Sequence, residues 1–189
     1  MKKNIDQKSI VSSAVKLATQ TGLEKITLKE IALELNIKTP SLYNHIKNID
    51  ELKILVATKG LEKLKEIIVD SSIGLIGEEA ILLISKNYLS FAKENPVLYQ
   101  AINAYGNIEN EHLVKLSSDI TTILFKIVAC YTKEIEEQTH IVRGLRSIID
   151  GFCHLNMTNG FAIEIPIDQS LEYALKAYIK GITVNKKTS

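Results

Sequence analysis

Proline is scarce in this 189-residue chain, with three residues at positions 40, 96 and 166. So few helix breakers leave long stretches free to follow a 3.6-residue apolar period. The nine glycines are scattered, and no GxGxxG or GxxxxGK loop gathers them into a phosphate cradle. Two cysteines, Cys130 and Cys153, lie in apolar helical patterns without CxxC, paired Cys/His or HExxH spacing, so the usual metal-site signatures are missing. Both thiols are expected to be buried, a redox pair being the alternative. No nucleophile–base motif recommends an enzyme, and no cofactor is implied. No apolar run approaches the ~20 residues that span a bilayer, and the polar start Met1–Asp6 has no signal-peptide core. A cytoplasmic protein without a membrane partner is the expectation. Arginine is absent before Arg143.

Charge of one sign is also missing overall, since the net charge is +1. Its distribution is uneven. Residues 1–65 hold 12 lysines and 7 acids, net +5, and residues 66–189 hold 11 Lys/Arg and 15 acids, net −4. A basic head on a neutral-to-acidic body suits contact with nucleic acid.

The apolar period predicts an all-α fold. A first helix over about 7–21 carries Ile10, Val11, Ala14, Leu17 and Ala18 on one stripe and ends at Gly22. Thr27-Leu28-Lys29-Glu30 reads as a capping box opening a second helix with Ile31, Ala32 and Leu35 inside. After the turn Asn36-Ile37-Lys38, Thr39 is expected to cap a third helix with Pro40 at its first position. Leu42 and Ile46 then face inward. Pro40, Tyr43, Asn44 and Lys47 point outward, flanked by Ser41 and His45, a polar, aromatic and basic stripe that fits a major groove. Asn48 or Asp50 caps a long fourth helix reaching about residue 71. Helices are expected over about 78–94, 96–105, 110–131, 134–159 and 168–183, with a disordered tail from Asn185. The domain reading is a head over 1–49 and a helical regulatory and dimerisation bundle over 50–189.

Residues Gly22, Leu23, Thr27, Ile31, Ala32, Leu35, Ile37, Leu42, Tyr43, His45, Lys47, Asn48 and Leu52 stand as in the DNA-binding head of the tetracycline-repressor (TetR) family of bacterial regulators, which residues 7–60 resemble. The resemblance implies a homodimer on a near-palindromic double-stranded operator, usually a repressor released when a small molecule binds the body. One position departs: Ile49 stands where the family often has a phosphate-touching lysine, leaving Lys47 or Lys53 to substitute. The body resembles more loosely a C-terminal type with a Trp-x-x-x-His-Gly signature. Gly151 matches, and Arg146 and Asp150 replace the Trp and His at a spacing that suits an ion pair.

Within that frame Thr27, Tyr43, His45 and Lys47 are expected to touch phosphate, and Lys38, Thr39, Pro40, Ser41 and Asn44 to face bases. Without arginine in the head, an A·T-rich operator core is expected. For dimerisation, the last two helices carry 4,3-spaced seams: Ile141, Leu145, Ile148, Phe152 and Leu155, then Leu171, Leu175, Tyr178 and Ile182. The competing reading is that these seams only seal the monomer core. Effector candidates are Asn87, Tyr88, Phe91, Asn103, Phe125, Arg143 and His154, for a small, largely apolar molecule. The effector would act by tilting the long helix and changing the spacing of two heads. The alternative function is a helical protein-interaction module.

Overall fold

The computed structural model describes residues 5–185, with side chains described to residue 183; residues 1–4, and the expected disordered tail over 186–189, lie outside that span. Every long element among the described residues is helical: α1 Gln7–Thr21, α2 Leu28–Glu34, α3 Ile49–Ser72, α4 Gly77–Glu94, α5 Pro96–Tyr105, α6 Glu111–Val128, α7 Ile135–Met157 and α8 Ile167–Asn185. The chain divides into two compact units. One comprises residues 1–62 and 95–114, the other 63–94 and 115–189.

The first unit begins with a reciprocal cap. The Asp6 carboxylate accepts from the Ser9 N–H at 2.8 Å, and the Asp6 N–H donates to the Ser9 hydroxyl at 3.1 Å. At the far end of α1 the Gly22 N–H donates to the Ala18 carbonyl, and φ +89° there requires glycine. Leu23 and Ile26 then plug the turn with 5% and 4% exposure. Thr27 and Glu30 form the expected capping box. The turn out of α2 needs no glycine, because Asn36 takes φ +55° itself, one of the few side chains that tolerate it.

The segment expected as a third α-helix is a 3-10 helix over Thr39–Asn44. Lys38 is its cap residue, without a side-chain cap bond, so the expected Thr39 cap is corrected by one residue. The physical cause is brevity. Pro40 brings no N–H, the Ser41 N–H reaches back three residues to the Lys38 carbonyl, and His45 already leaves helical geometry at φ −124°. Asn48 caps α3 by accepting from the Glu51 N–H at 2.8 Å, and Glu51 accepts in return from the Lys47 N–H.

Ile10, Ala14, Ile31, Leu42, Leu52 and Val56 are fully buried in this unit, each of the larger ones contributing about 1.5–3 kcal/mol. α5 packs on α1. It also meets α3 closely at Gly60, where a β-carbon would come within 2.9 Å of the Ile102 side chain and 3.0 Å of the Leu98 carbonyl.

In the second unit α4, α7 and α8 pack mutually. Tyr178 lies across Gly144, its hydroxyl 3.4 Å from the His140 and Ile141 carbonyls. α6 stops at Val128, short of the expected residue 131, because Tyr131 and Thr132 turn the chain; the Thr132 carbonyl accepts from the buried Gln138 amide at 2.8 Å. The two thiols part company. Cys153 is fully buried, and burial pushes its thiol up to about 12, whereas Cys130 is exposed, correcting the expectation that both are buried. At pH 8 a thiol reagent is therefore expected to label one site rapidly in the folded protein and two in denaturant; rapid labelling of both would contradict this burial.

Candidate nucleic-acid interface

Leu42 and Ile46, 0% and 2% exposed, anchor the Thr39–Asn44 helix and the residues after it to the core of the first unit. What remains outside is set by that anchoring. Pro40, Tyr43, Asn44 and Lys47 are exposed, Tyr43 at 57%, and Thr39, Ser41 and His45 are half-exposed. Lys38 is exposed at the start of the same helix, and Thr27 at the start of α2. The structure thus brings to the surface all nine side chains singled out for DNA.

Thr27 carries internal side-chain bonds, and His45 an internal backbone bond to a side chain of α1. The Thr27 hydroxyl accepts from the Glu30 N–H at 3.3 Å and donates to the Glu30 carboxylate at 2.7 Å. The His45 carbonyl, not its ring, accepts from Gln7 at 3.3 Å. Lys53, offered above as a substitute for the missing lysine at Ile49, is not available. Its side chain is 10% exposed and its ammonium lies 2.5 Å from Glu24. Lys47 alone remains for that role.

The seam residues divide differently from the expectation of one interface. Ile141, Leu145, Leu171 and Leu175 are buried within the single chain, and Ile148, Phe152, Tyr178 and Ile182 are half-buried. Only Leu155, at 42%, is exposed. A 4,3 stripe marks the side of a helix that meets another helix, without saying whose. On the open faces of α7 and α8 Leu155 is joined by Gly151, Tyr173, Ala177 and Gly181.

The effector candidates stand on four helices, α4 to α7. Tyr88 and Phe91 are buried on α4 with their rings edge to face at 6.4 Å, and Asn87 donates to the buried Ser71 hydroxyl at 2.9 Å. Phe125 is half-buried, Arg143 and His154 are exposed, and Asn103 belongs to the other compact unit, bonded to the Tyr99 carbonyl at 3.1 Å. The sequence reading missed the partner of Tyr88, whose hydroxyl donates to Asp150 at 2.7 Å, while Arg146 holds the other carboxylate oxygen at 3.2 Å in the ion pair expected from the i,i+4 spacing. It also offered Lys53 to phosphate and missed its burial against Glu24. The one signal for it was a lysine between Leu52 and Val56 on the apolar stripe of α3.

A compact helical unit presenting a short helix by its polar, aromatic and basic face, followed by a separate helical body, defines a helix-turn-helix DNA-binding regulator. The comparisons agree. The profile of "Bacterial regulatory proteins, tetR family" matches residues 10–54, and "Tetracyclin repressor-like, C-terminal domain" matches residues 81–178. An HTH-type transcriptional regulator of Bacillus subtilis, YobS, is 31% identical over 97% of this chain and 95% of its own length. A Rhodococcus sp. RHA1 structure of unknown function superposes with TM-score 0.82 at 14% identity, covering 95% of this chain and 96% of that one. The transcriptional regulator FadR of Bacillus subtilis, solved with stearoyl-CoA, gives 0.71 at 15% identity, covering 92% and 98%. The chain belongs to the tetracycline-repressor family: it is a DNA-binding transcriptional regulator, of a family of regulators rather than of enzymes, in which repression relieved by a ligand is typical. The protein-interaction module is thereby set aside. No helix among the described residues is long and apolar enough to cross a membrane.

Proposed function

We propose that this regulator binds as a homodimer to a near-palindromic operator and represses transcription in the cytoplasm until a small, largely apolar effector occupies its second unit. The observation that carries the reading is the exposed set Pro40, Tyr43, Asn44 and Lys47 opposite the buried Leu42 and Ile46. Lys47 and Tyr43 supply an ammonium and a phenol for phosphate, with His45 and Thr27 beside them; a Thr27 contact exchanges its bond to Glu30 for one to DNA. Asn44 pairs with adenine, and Pro40 and Thr39 touch thymine methyls, with Ser41 and Lys38 at the edge. One head reads half of a palindrome, so two chains are required. Gly151, Leu155, Tyr173 and Ala177 on the open faces of α7 and α8 are the surface we assign to the second chain.

For the effector, Phe91 and Phe125 offer apolar wall, and the Tyr88–Asp150 pair and Asn87 offer the few polar groups that fix orientation. FadR carries an acyl thioester on a similar fold, which makes acylated coenzymes the first compounds to try.

The test is a selection of binding sites from random duplexes, followed by titration of the selected duplex at several salt concentrations. Two protomers per half-site pair and an affinity falling steeply with salt are expected. A selection that enriches no sequence, or a single protomer on an asymmetric site, would overturn the proposal.

A further inference from the structure

Glu24, Lys53 and Tyr105 are far apart in sequence and meet within the first unit. The two Glu24 carboxylate oxygens divide the work: Oε2 accepts from the Lys53 ammonium at 2.5 Å, and Oε1 accepts from the Tyr105 hydroxyl. The Lys53 Nζ also lies 5.7 Å from the centre of the Tyr105 ring, which closes the triangle. The Lys53 side chain is buried, and the Glu24 carboxylate that meets it stands at the surface. The bond from Glu24 holds the Lys53 ammonium above its ordinary range, and the bonds from Lys53 and Tyr105 hold the Glu24 carboxyl below its own.

Placement gives the triangle its meaning. Glu24 sits in the short turn three residues before Thr27, and Lys53 sits just inside α3, whose first turn is bonded back to the Lys47 N–H through Glu51. The two residues therefore bracket the helix-turn-helix and tie its beginning to its end. Tyr105 is the last residue of α5, far outside residues 10–54 that match the DNA-binding profile, yet α5 is part of the same compact unit.

We propose that Tyr105, acting through Glu24 and Lys53, is a positioning residue for DNA recognition, so that the placement of the end of α5 sets the geometry of the reading face. The inference rests on the Thr39–Lys47 face being the DNA-binding surface. It makes the end of α5 a working part of the DNA-binding unit.

The experiment uses the full chain and a labelled duplex carrying its selected site, with Tyr105→Phe, Glu24→Gln, their combination and Lys47→Ala. Tyr105→Phe keeps the ring and removes only the hydroxyl, so folding is retained. Loss of this charge-assisted bond is expected to weaken operator binding about five- to ten-fold, with the slope of affinity against salt unchanged because no phosphate contact is removed. Lys47→Ala, by contrast, lowers that slope. The combined variant is expected to bind no more weakly than Glu24→Gln alone, since both act through one carboxylate. Affinity within two-fold of the parent for Tyr105→Phe and Glu24→Gln, beside a weakened Lys47→Ala, would overturn the inference. So would a lowered melting midpoint with unchanged affinity well below it, the mark of a merely stabilising contact. If Lys47→Ala binds like the parent as well, the DNA-binding face itself is misassigned and the inference falls with it.

Discussion

Operator binding is expected to drop by roughly 30- to 150-fold when either Tyr43 or Lys47 is replaced by alanine. The arithmetic follows from symmetry. A hydrogen bond or ion pair to phosphate is worth about 1–1.5 kcal/mol net, and a two-fold complex is deprived of it twice, so about 2–3 kcal/mol is removed per dimer. Both side chains stand outside the core, Tyr43 at 57% exposure, so neither substitution creates a cavity. The melting midpoint should move little. The two variants should differ in one respect: Lys47→Ala removes a charge at each head and lowers the salt slope by about one for each phosphate no longer neutralised, whereas Tyr43→Ala weakens binding at every salt concentration alike. A fluorescence anisotropy titration across a salt series measures all of this. Unchanged affinity for both variants would mean that another face meets the DNA.

Gly144→Ala is expected to destabilise the second unit, against the usual preference for alanine inside a helix. An added β-carbon would lie 2.0 Å from the Tyr178 hydroxyl and 2.5 Å from its Cζ. Both atoms belong to a half-buried ring lying across α7, so the ring must move away or the helices must part. Overpacking of this kind costs about 1–3 kcal/mol or more, which exceeds the ~1 kcal/mol that alanine gains over glycine by propensity. Thermal or urea unfolding measures the difference. The same substitution made together with Tyr178→Leu should reverse sign and become stabilising, because the obstructing ring is gone while the propensity gain remains. A stabilising Gly144→Ala in the parent protein would contradict the close approach.

Much of the exposed face we propose for DNA was legible in the sequence, and the reason is local. The Thr27–Glu30 cap, the buried Leu42 and Ile46 and the exposed Tyr43 and Lys47 depend on spacing within a single turn or two. That spacing survives even though the expected α-helix is a 3-10 helix: four residues separate Leu42 from Ile46 in either case, and both are apolar. The seams of α7 and α8 were visible as stripes but not assignable to one partner, since burial by the same chain and burial by a second chain select the same residue types. Which effector candidates share a site was not legible for a related reason. Aromatic and polar side chains on different helices converge only through the packing of those helices.

By itself, then, the sequence determined the helical fold, the family and the exposed stripe proposed to face DNA, because caps, apolar period and turn residues act between neighbours in the chain. Tertiary structure alone decided that Lys53 is spent on Glu24 and Tyr105, that Tyr88 is paired with Asp150, that Gly144 makes room for Tyr178 and that α5 belongs to the first compact unit. Each of those pairings joins residues 29 to 81 positions apart, or depends on where whole helices cross. Such distances are closed by the burial of apolar faces, which is non-directional and leaves no local mark on the polar residues it brings together.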